Sequence, residues 1–333
     1  MIEFKKYNGF LFVGDPHLTI YKREKRNDIN FANTVLDKIN QAVDIALKEN
    51  LYLVFLGDLF DSSKEQNINI LTKLTRILKK LKHPPVTAEG NHEKTETKLS
   101  DDVALKLIQE SETTYVIEKN SLWGKFNFNG KVVYLGATPY GEKIPDEVTL
   151  PKGEEDGMIV WLTHDNLDFG DTYPGVIPLK EIKGVSMLVN GHIHQTRKSQ
   201  NKGSMRAHNP GNITRLSIDC KDHVPSVWRW IPEQGLDLVQ IPLKYEKEAF
   251  SMLGLQINVP DEKSKVADLL SVQQTSQFVQ KMQELQENEP ARTDDGSHLK
   301  DTIKIVAKGM KMEDDFTKEL INILDEAMIP KTD

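Results

Sequence analysis

The chain has 333 residues, enough for two domains or for one large domain with an appendage. Hydrophobic residues make up 38% and charged residues 28%, the balance of a protein with a real core, and no stretch approaches the roughly 18 apolar residues of a membrane span. Against 50 acidic residues stand 43 basic ones, a formal net charge of −7; this argues against a basic nucleic-acid coat protein but leaves room for an enzyme that spends carboxylates on metal. The single cysteine, Cys220, excludes an internal disulfide framework and, with no signal-peptide pattern at the start, sets the expectation of a cytoplasmic protein.

Residues 10–14 read as a short buried strand closed by a turn signal. Residues 30–50 carry helical spacing, with Phe31, Val35, Ile39, Val43 and Leu47 on one face. Leu51 to Leu56 reads as a second strand, stopped by Gly57-Asp58. A second helix is expected over 66–82, ended by Pro84-Pro85, and Val86-Thr87-Ala88 leads into Gly90-Asn91-His92. Further strands are expected at Lys131–Leu135, Met158–Thr163, Ser186–Asn190, Ser226–Ile231 and Leu236–Pro242. This alternation predicts a layered α/β architecture, with ligands at strand C-termini. After about residue 244 the chain is richer in Gln, Glu and Lys. Helices are expected at 262–286 and 312–328, separated by a polar, breaker-rich stretch.

Five short motifs follow apolar strands in order: Asp15-Pro16-His17, Gly57-Asp58-Leu59-Phe60-Asp61, Gly90-Asn91-His92-Glu93, His164 in Leu162-Thr163-His164-Asp165, and Gly191-His192-Ile193-His194. Together they supply carboxylates, imidazoles and an amide carbonyl, a mixed nitrogen and oxygen set that suits Mn²⁺, Fe²⁺ or Zn²⁺ better than Ca²⁺ or Mg²⁺. Two such cations can clamp the attacking and leaving oxygens of an in-line displacement at phosphorus. Glu93 reads as solvated or structural, and His83, His208, His223 and His298 as ordinary residues outside the motifs.

The ordered set resembles the calcineurin-like metallophosphoesterase superfamily, over about residues 9–243. The resemblance implies a four-layer α/β/β/α sandwich with a small C-terminal α+β cap and a helical tail. It implies a metallophosphoesterase domain at 1–243, a cap and linker at 244–298, and a helical, possible partner-docking segment at 299–333. By motif position it implies that Asp15, His17 and His194 hold one metal, that Asn91, His164 and His192 hold the other, and that Asp58 bridges them. His92 is then the catalytic histidine, and Asp61 the residue that hydrogen-bonds and orients it.

Protein phosphatases of the superfamily carry arginines where this chain has Ser62 and Glu89. The chain is more similar to the SbcD-type DNA repair nuclease branch, through Arg23 and Arg26-Asn27-Asp28, the wording Gly57-Asp58-Leu59-Phe60-Asp61, Ala137-Thr138-Pro139-Tyr140 and Asn209-Pro210-Gly211-Asn212, and its short length resembles phage members. That branch implies a Mn²⁺-dependent DNA exonuclease or endonuclease, with Mg²⁺, Fe²⁺ or Zn²⁺ as other candidate ions, acting in repair or recombination. It also implies a homodimer working with an SbcC-type coiled-coil ATPase. Basic clusters at 22–26 and 197–206 adjoin metal motifs, where they could track phosphates. Two other readings are a nucleotide or cyclic-nucleotide phosphodiesterase and a mainly architectural subunit bridging DNA and an ATPase.

Overall fold

The first strands alternate sharply enough to define two packing surfaces each. In the computed structural model, which describes residues 1–250 apart from 22–25, 95–98, 155, 171–176 and 218–219, strand β1 is Ile2–Lys5, β2 is Gly9–Val13 and β3 is Leu51–Phe55. In β2, Phe10 and Phe12 face a second sheet while Leu11 and Val13 face helices; in β3, Tyr52 and Val54 take the first surface and Leu51, Leu53 and Phe55 the second. A strand buried on both faces needs apolar residues at every position, which is why β2 and β3 show no polar alternation, whereas β1, at a sheet edge, alternates as Ile-Glu-Phe-Lys and buries only Phe4.

Parallel pairing of β2 with β3, β3 with β4 (Val86–Ala88) and β4 with β5 (Tyr115–Ile117) builds most of a six-stranded sheet. Near the far end of the described chain, β14 (Ser226–Trp230) runs antiparallel to β2 and carries β15 (Val239–Pro242) at its edge. The second sheet has seven strands, in the order β1, β6 (Ser121–Phe128), β7 (Lys131–Thr138), β8 (Met158–Thr163), β11 (Met187–Asn190), β13 (Met205–Asn209) and β12 (Arg197–Lys202). Its centre, β7 to β13, is parallel, and β12 is an antiparallel edge. The short strands β9 (Leu167–Asp168) and β10 (Ile177–Pro178) pair only with each other.

The two sheets bury one core between them, filled by Phe4, Phe10, Phe12, Tyr52, Phe126 and Phe128 with Val160, Leu162, Met187 and Val189. Helices α1 (Phe31–Glu49), α2 (Ile68–Leu78) and α3 (Ala104–Glu110) cover the outer face of the six-stranded sheet. Asn30 and Asn67 cap α1 and α2 by accepting backbone N–H groups, and Asn50 ends α1 in the left-handed conformation. Leu47 is exposed and Ala46 takes the inward position, because successive steps of four drift round a helix of 3.6 residues per turn and the inward face returns at position 46.

The mixed α/β sandwich of two sheets is therefore present, with one difference from the four-layer expectation. Among the described residues no helix covers the outer face of the seven-stranded sheet; Leu167, Phe169, Leu179, Ile182 and Val185 from connecting segments pack there against Trp161 and Leu188. Loops can close this face because they carry apolar side chains inward while their backbone stays at the surface. Strands β5, β6, β12 and β13 and helix α3 were not legible as elements, being short, polar or edge segments. The helices expected at 262–286 and 312–328, the cap and the docking segment lie outside the described residues, as do His298 and Arg23.

One unit spans Met1–Met252. Residues 244–250 are tied into it: Lys38 donates to the Lys244 carbonyl, Arg215 to the Glu246 and Lys247 carbonyls, and Asn27 N–H to Ala249. No helix among the described residues is long and apolar enough to cross a membrane.

Candidate functional site

Every motif sits where a parallel strand stops. Asp15 and His17 follow β2, Asp58 follows β3, Asn91 and His92 follow β4, His164 follows β8, and His192 and His194 follow β11. The carboxyl ends of both sheets thus open onto one place, so five distant segments meet. The chain must turn sharply there. Asp15, His17, Asp58 and His192 adopt φ of 31°, 49°, 47° and 69°, a left-handed conformation that costs a non-glycine residue energy and is kept where surrounding contacts over-determine it. Gly191 is required at its position, since a Cβ would lie 2.4 Å from the Leu56 carbonyl and 2.6 Å from His164 Nδ1.

Side chains converge in two groups sharing Asp58. In the first, His17 Nε2 lies 2.9 Å from His194 Nε2 and 3.5 Å from Asp58 Oδ2. In the second, His164 Nε2 lies 3.1 Å from the same Asp58 oxygen, and His192 Nδ1 lies 3.1 Å from Asn91 Oδ1. Asp15 lies beside the second group, its Oδ1 3.8 Å from His164 Nδ1. All seven residues expected as ligands are therefore brought together.

The chemistry of this set calls for cations. Both oxygens of Asp15 are buried without a well-formed hydrogen bond, although such atoms nearly always have one. His164 Nδ1 donates to the Leu56 carbonyl at 2.7 Å, which aims Nε2 at the centre. Burial works against charge on His164, but Asp58 and Asp15 together push it up to about 10. Burial alone would raise Asp58, yet His164, followed by His17 and His92, holds its carboxyl well below the usual range. Burial pushes Asp15 up to about 7 against the pull of His164. Burial, with the His164 charge, drives His192 down to about 4, and burial with His17 drives His194 well down, leaving both as neutral imidazoles able to ligate. The residues present fit a pair of divalent cations: Asp15, His17, His194 and Asp58 could hold one, and Asn91, His164, His192 and Asp58 the other.

His92 and Asp61 differ from their expected relation. The Asp61 backbone carbonyl, not its carboxylate, accepts from His92 Nδ1 at 2.7 Å. The carboxylate instead lies 3.2 Å from His17 Nδ1, a charge contact with an expected ligand histidine. The tight turn after β3 explains this, since it points the Asp61 peptide and side chain at different rings. His17, Asp61 and His92 also lie close enough together to form a candidate ion group. We favour the set with His194, because the Asp61 carboxylate engages the His17 nitrogen that does not face Asp58.

Three residues support these loops. Glu93 takes the structural one of its two expected roles: it is fully buried, and its carboxylate accepts from the N–H groups of Asp58, Leu59, Phe60 and Gly90. Asn190 donates to Asp165, Gly191 and Asn209 and accepts from Thr163 and Asp165, locking the His164 and His192 loops to each other. Asn209 donates to the Ile193 and Gln195 carbonyls. An Asn closing an apolar strand was the available signal for Asn190, whereas β13, with its Arg and His, offered none for Asn209. The Pro210-Gly211-Asn212 loop is threaded between the first and last motifs, with Asn212 N–H donating to His194 and Ile213 N–H to Gly14.

Two basic expectations change. Arg26 is buried, paired with Asp28 and donating to the Arg215 carbonyl, so it is not placed to track phosphates. Arg206 is paired with Asp237. Arg197, Lys198 and Lys202 lie on the edge strand β12, which begins three residues after His194. His208, His83 and His223 lie outside the centre, bonded to Ser199 and Leu236, to Tyr7, and to Asn212.

No curated protein matches the sequence. Among solved structures, a 5'-nucleotidase precursor from Thermus thermophilus is similar at 14% identity and a TM-score of 0.42, over 82% of this chain and 59% of that one. The chain thus spans 59% of that protein's length, and a likeness this distant carries no argument about substrate. The family profile for calcineurin-like phosphoesterases matches residues 9–196, from β2 through the last histidine of the centre. With that match over more than half of the chain, and with five ligand loops gathered at the carboxyl ends of two sheets, the chain belongs to the calcineurin-like phosphoesterase family, whose members are metal-dependent hydrolases of phosphoester bonds.

Proposed function

We propose that the protein is a two-metal, Mn²⁺-dependent phosphodiesterase that cuts DNA, as the nuclease subunit beside an SbcC-type coiled-coil ATPase and as a homodimer. The observation that carries the hydrolytic part is Asp58 Oδ2, which faces a ligand nitrogen of each group at 3.1 and 3.5 Å. When bound there, a pair of divalent cations supplies Lewis acidity toward phosphoryl oxygens and acidifies water. The chain's own residues do the rest. His164 presents Nε2 because the Leu56 carbonyl holds its Nδ1, and the Asp61 carboxylate lies beside Nδ1 of His17. His92 gives Nδ1–H to the Asp61 carbonyl, so Nε2 is the atom free to carry a proton to the departing oxygen. Its own backbone N–H donates to Asp58 Oδ1, tying the acid to the bridging carboxylate.

Two features favour a diester in a nucleic acid. Glu89, where protein phosphatases carry an arginine for a dianionic monoester, is buried against Lys94 at 3.3 Å. Strand β12 leads three cationic residues away from His194 along a sheet edge, a path suited to a phosphate backbone. The ATPase and the dimer rest on the sequence resemblance alone. The test is a Mn²⁺ assay on linear double-stranded, single-stranded and circular DNA, beside bis-p-nitrophenyl phosphate. Degradation of DNA is expected. Hydrolysis of the small ester with no DNA cut, even with a candidate ATPase added, overturns the nuclease reading in favour of a nucleotide phosphodiesterase.

A further inference from the structure

Beside the centre stands an aromatic ring that no ligand or acid role uses. Tyr140 follows β7, and its ring lies 5.7 Å from that of His192 at a tilt of 32° and 6.3 Å from that of His164 at 76°. The residue is half-buried, so part of its surface reaches solvent. His92 packs instead on His17, with ring centroids 4.8 Å apart. The proton donor thus adjoins one ligand group and the tyrosine the other.

The backbone around Tyr140 is held from several sides. Its N–H donates to the Glu89 carbonyl at 3.0 Å, and its carbonyl accepts from Lys94 Nζ at 2.7 Å. The next N–H, of Gly141, is taken by the Asp165 carboxylate. Glu89 and Lys94 flank Asn91 and His92, and Asp165 follows His164, so the loop is fastened to segments that carry the centre. A mostly buried ion pair costs desolvation and is a weak source of stability, which fits its use here to fix a position.

We propose that Tyr140 is a specificity-determining residue, the platform on which the non-departing arm of a phosphodiester stacks, so that diesters with an aromatic or nucleoside arm are preferred. With the leaving oxygen beside His92, the arm that stays lies toward His164 and His192, under the ring. Every nucleobase has a π-face, so such a platform accepts any sequence. This rests on the diesterase reading above.

The test compares three esters with one leaving group: bis-p-nitrophenyl phosphate, methyl p-nitrophenyl phosphate and p-nitrophenyl phosphate. Tyr140→Ala is expected to raise KM for the bis-aryl diester about ten-fold. KM for the methyl diester and kcat for both should stay within about two-fold, and Tyr140→Phe should match wild type on all three. Tyr140→Leu serves in place of Ala if that variant fails to fold. In a His92→Ala background, calorimetric binding of the dinucleotide pTpT should weaken about ten-fold on adding Tyr140→Ala. Equal changes on both diesters, a Phe variant as impaired as Ala, or unchanged dinucleotide binding overturns the inference alone. A wild-type enzyme that hydrolyses only the monoester overturns the diesterase reading, and this inference with it.

Discussion

His92 and Glu93 are neighbours in sequence with opposite duties. His92 offers Nε2 toward the centre while Nδ1 is committed to the Asp61 carbonyl. His92→Ala should therefore leave both metals bound, as counted by elemental analysis, while turnover of bis-p-nitrophenyl phosphate falls about 10²- to 10⁴-fold. Loss of metal would instead make His92 a ligand. Glu93 staples the turn that presents Asp58 through four backbone N–H groups. Burial, with Asp58 close by, pushes its carboxyl up to about 7, against the pull of those donors. Glu93→Gln turns an amide N–H₂ toward backbone donors and should cost about 1–3 kcal/mol in urea unfolding, because buried N–H groups are left unpaired. An unchanged midpoint would show that the turn stands without the staple. Neither duty follows from residue type, since both depend on which peptide of a distant strand end lies opposite.

At the scale of the element, β11 and β13 carry two different sensitivities. Gly191 closes β11 against the Leu56 carbonyl and His164, so Gly191→Ala should displace His164 and abolish tight metal binding by calorimetry, with secondary structure unchanged by circular dichroism. On β13, His208 accepts from Ser199 Oγ at 2.7 Å and donates to the Leu236 carbonyl at 2.8 Å, the bonds of a neutral ring. Burial drives it down to about 4 from an ordinary value near 6.5. Its folded pKa lies below the unfolded one, so its contribution is complete above about pH 6.5 and is lost as pH falls toward 4. The lost fraction is of the order of 3 kcal/mol. In metal-free protein, His208→Gln should flatten the fall in stability between pH 6.5 and 4 relative to wild type. A wild-type curve flat across that window would contradict the burial argument.

Across the described unit, three buried cations hold its last described segment, residues 244–250. Lys38, Arg26 and Arg215 face one another, with Asp28 as the carboxylate partner of Arg26, and their other donors go to backbone carbonyls at 215, 221, 244, 246 and 247. Arg215 also stacks its guanidinium 4.8 Å from the Tyr245 ring. Arg215→Met should lower stability by about 2 kcal/mol or more through carbonyls left unpaired. Small-ester kcat should be retained, because no ligand loop loses a partner. A loss of kcat equal to that of His92→Ala would show that this clamp reaches the centre. Arg26 illustrates how a charged residue misleads when read in sequence: beside Lys25 it looks like part of a basic patch, and only the fold turns it inward against Asp28 and Phe31.

The sequence by itself determined the family, the identity and order of the candidate ligand residues, and the buried strands that carry them. Those strands are apolar on both faces and end in Gly, Asp, Asn or His, a local pattern that needs no knowledge of neighbours. It also determined helices α1 and α2, whose apolar faces and Asn caps are written in consecutive residues. Tertiary structure decided what each polar group meets. It placed the Asp61 carboxylate beside His17 and gave its carbonyl to His92, buried Glu93 under a turn, and, among the described residues, packed connecting segments on the outer face of the second sheet. It also set Tyr140 beside His192. The physical reason is that hydrogen bonds and ring contacts across 30 to 180 residues depend on strand register and on left-handed turns at Asp15, Asp58 and His192, and neither is encoded in any local spacing.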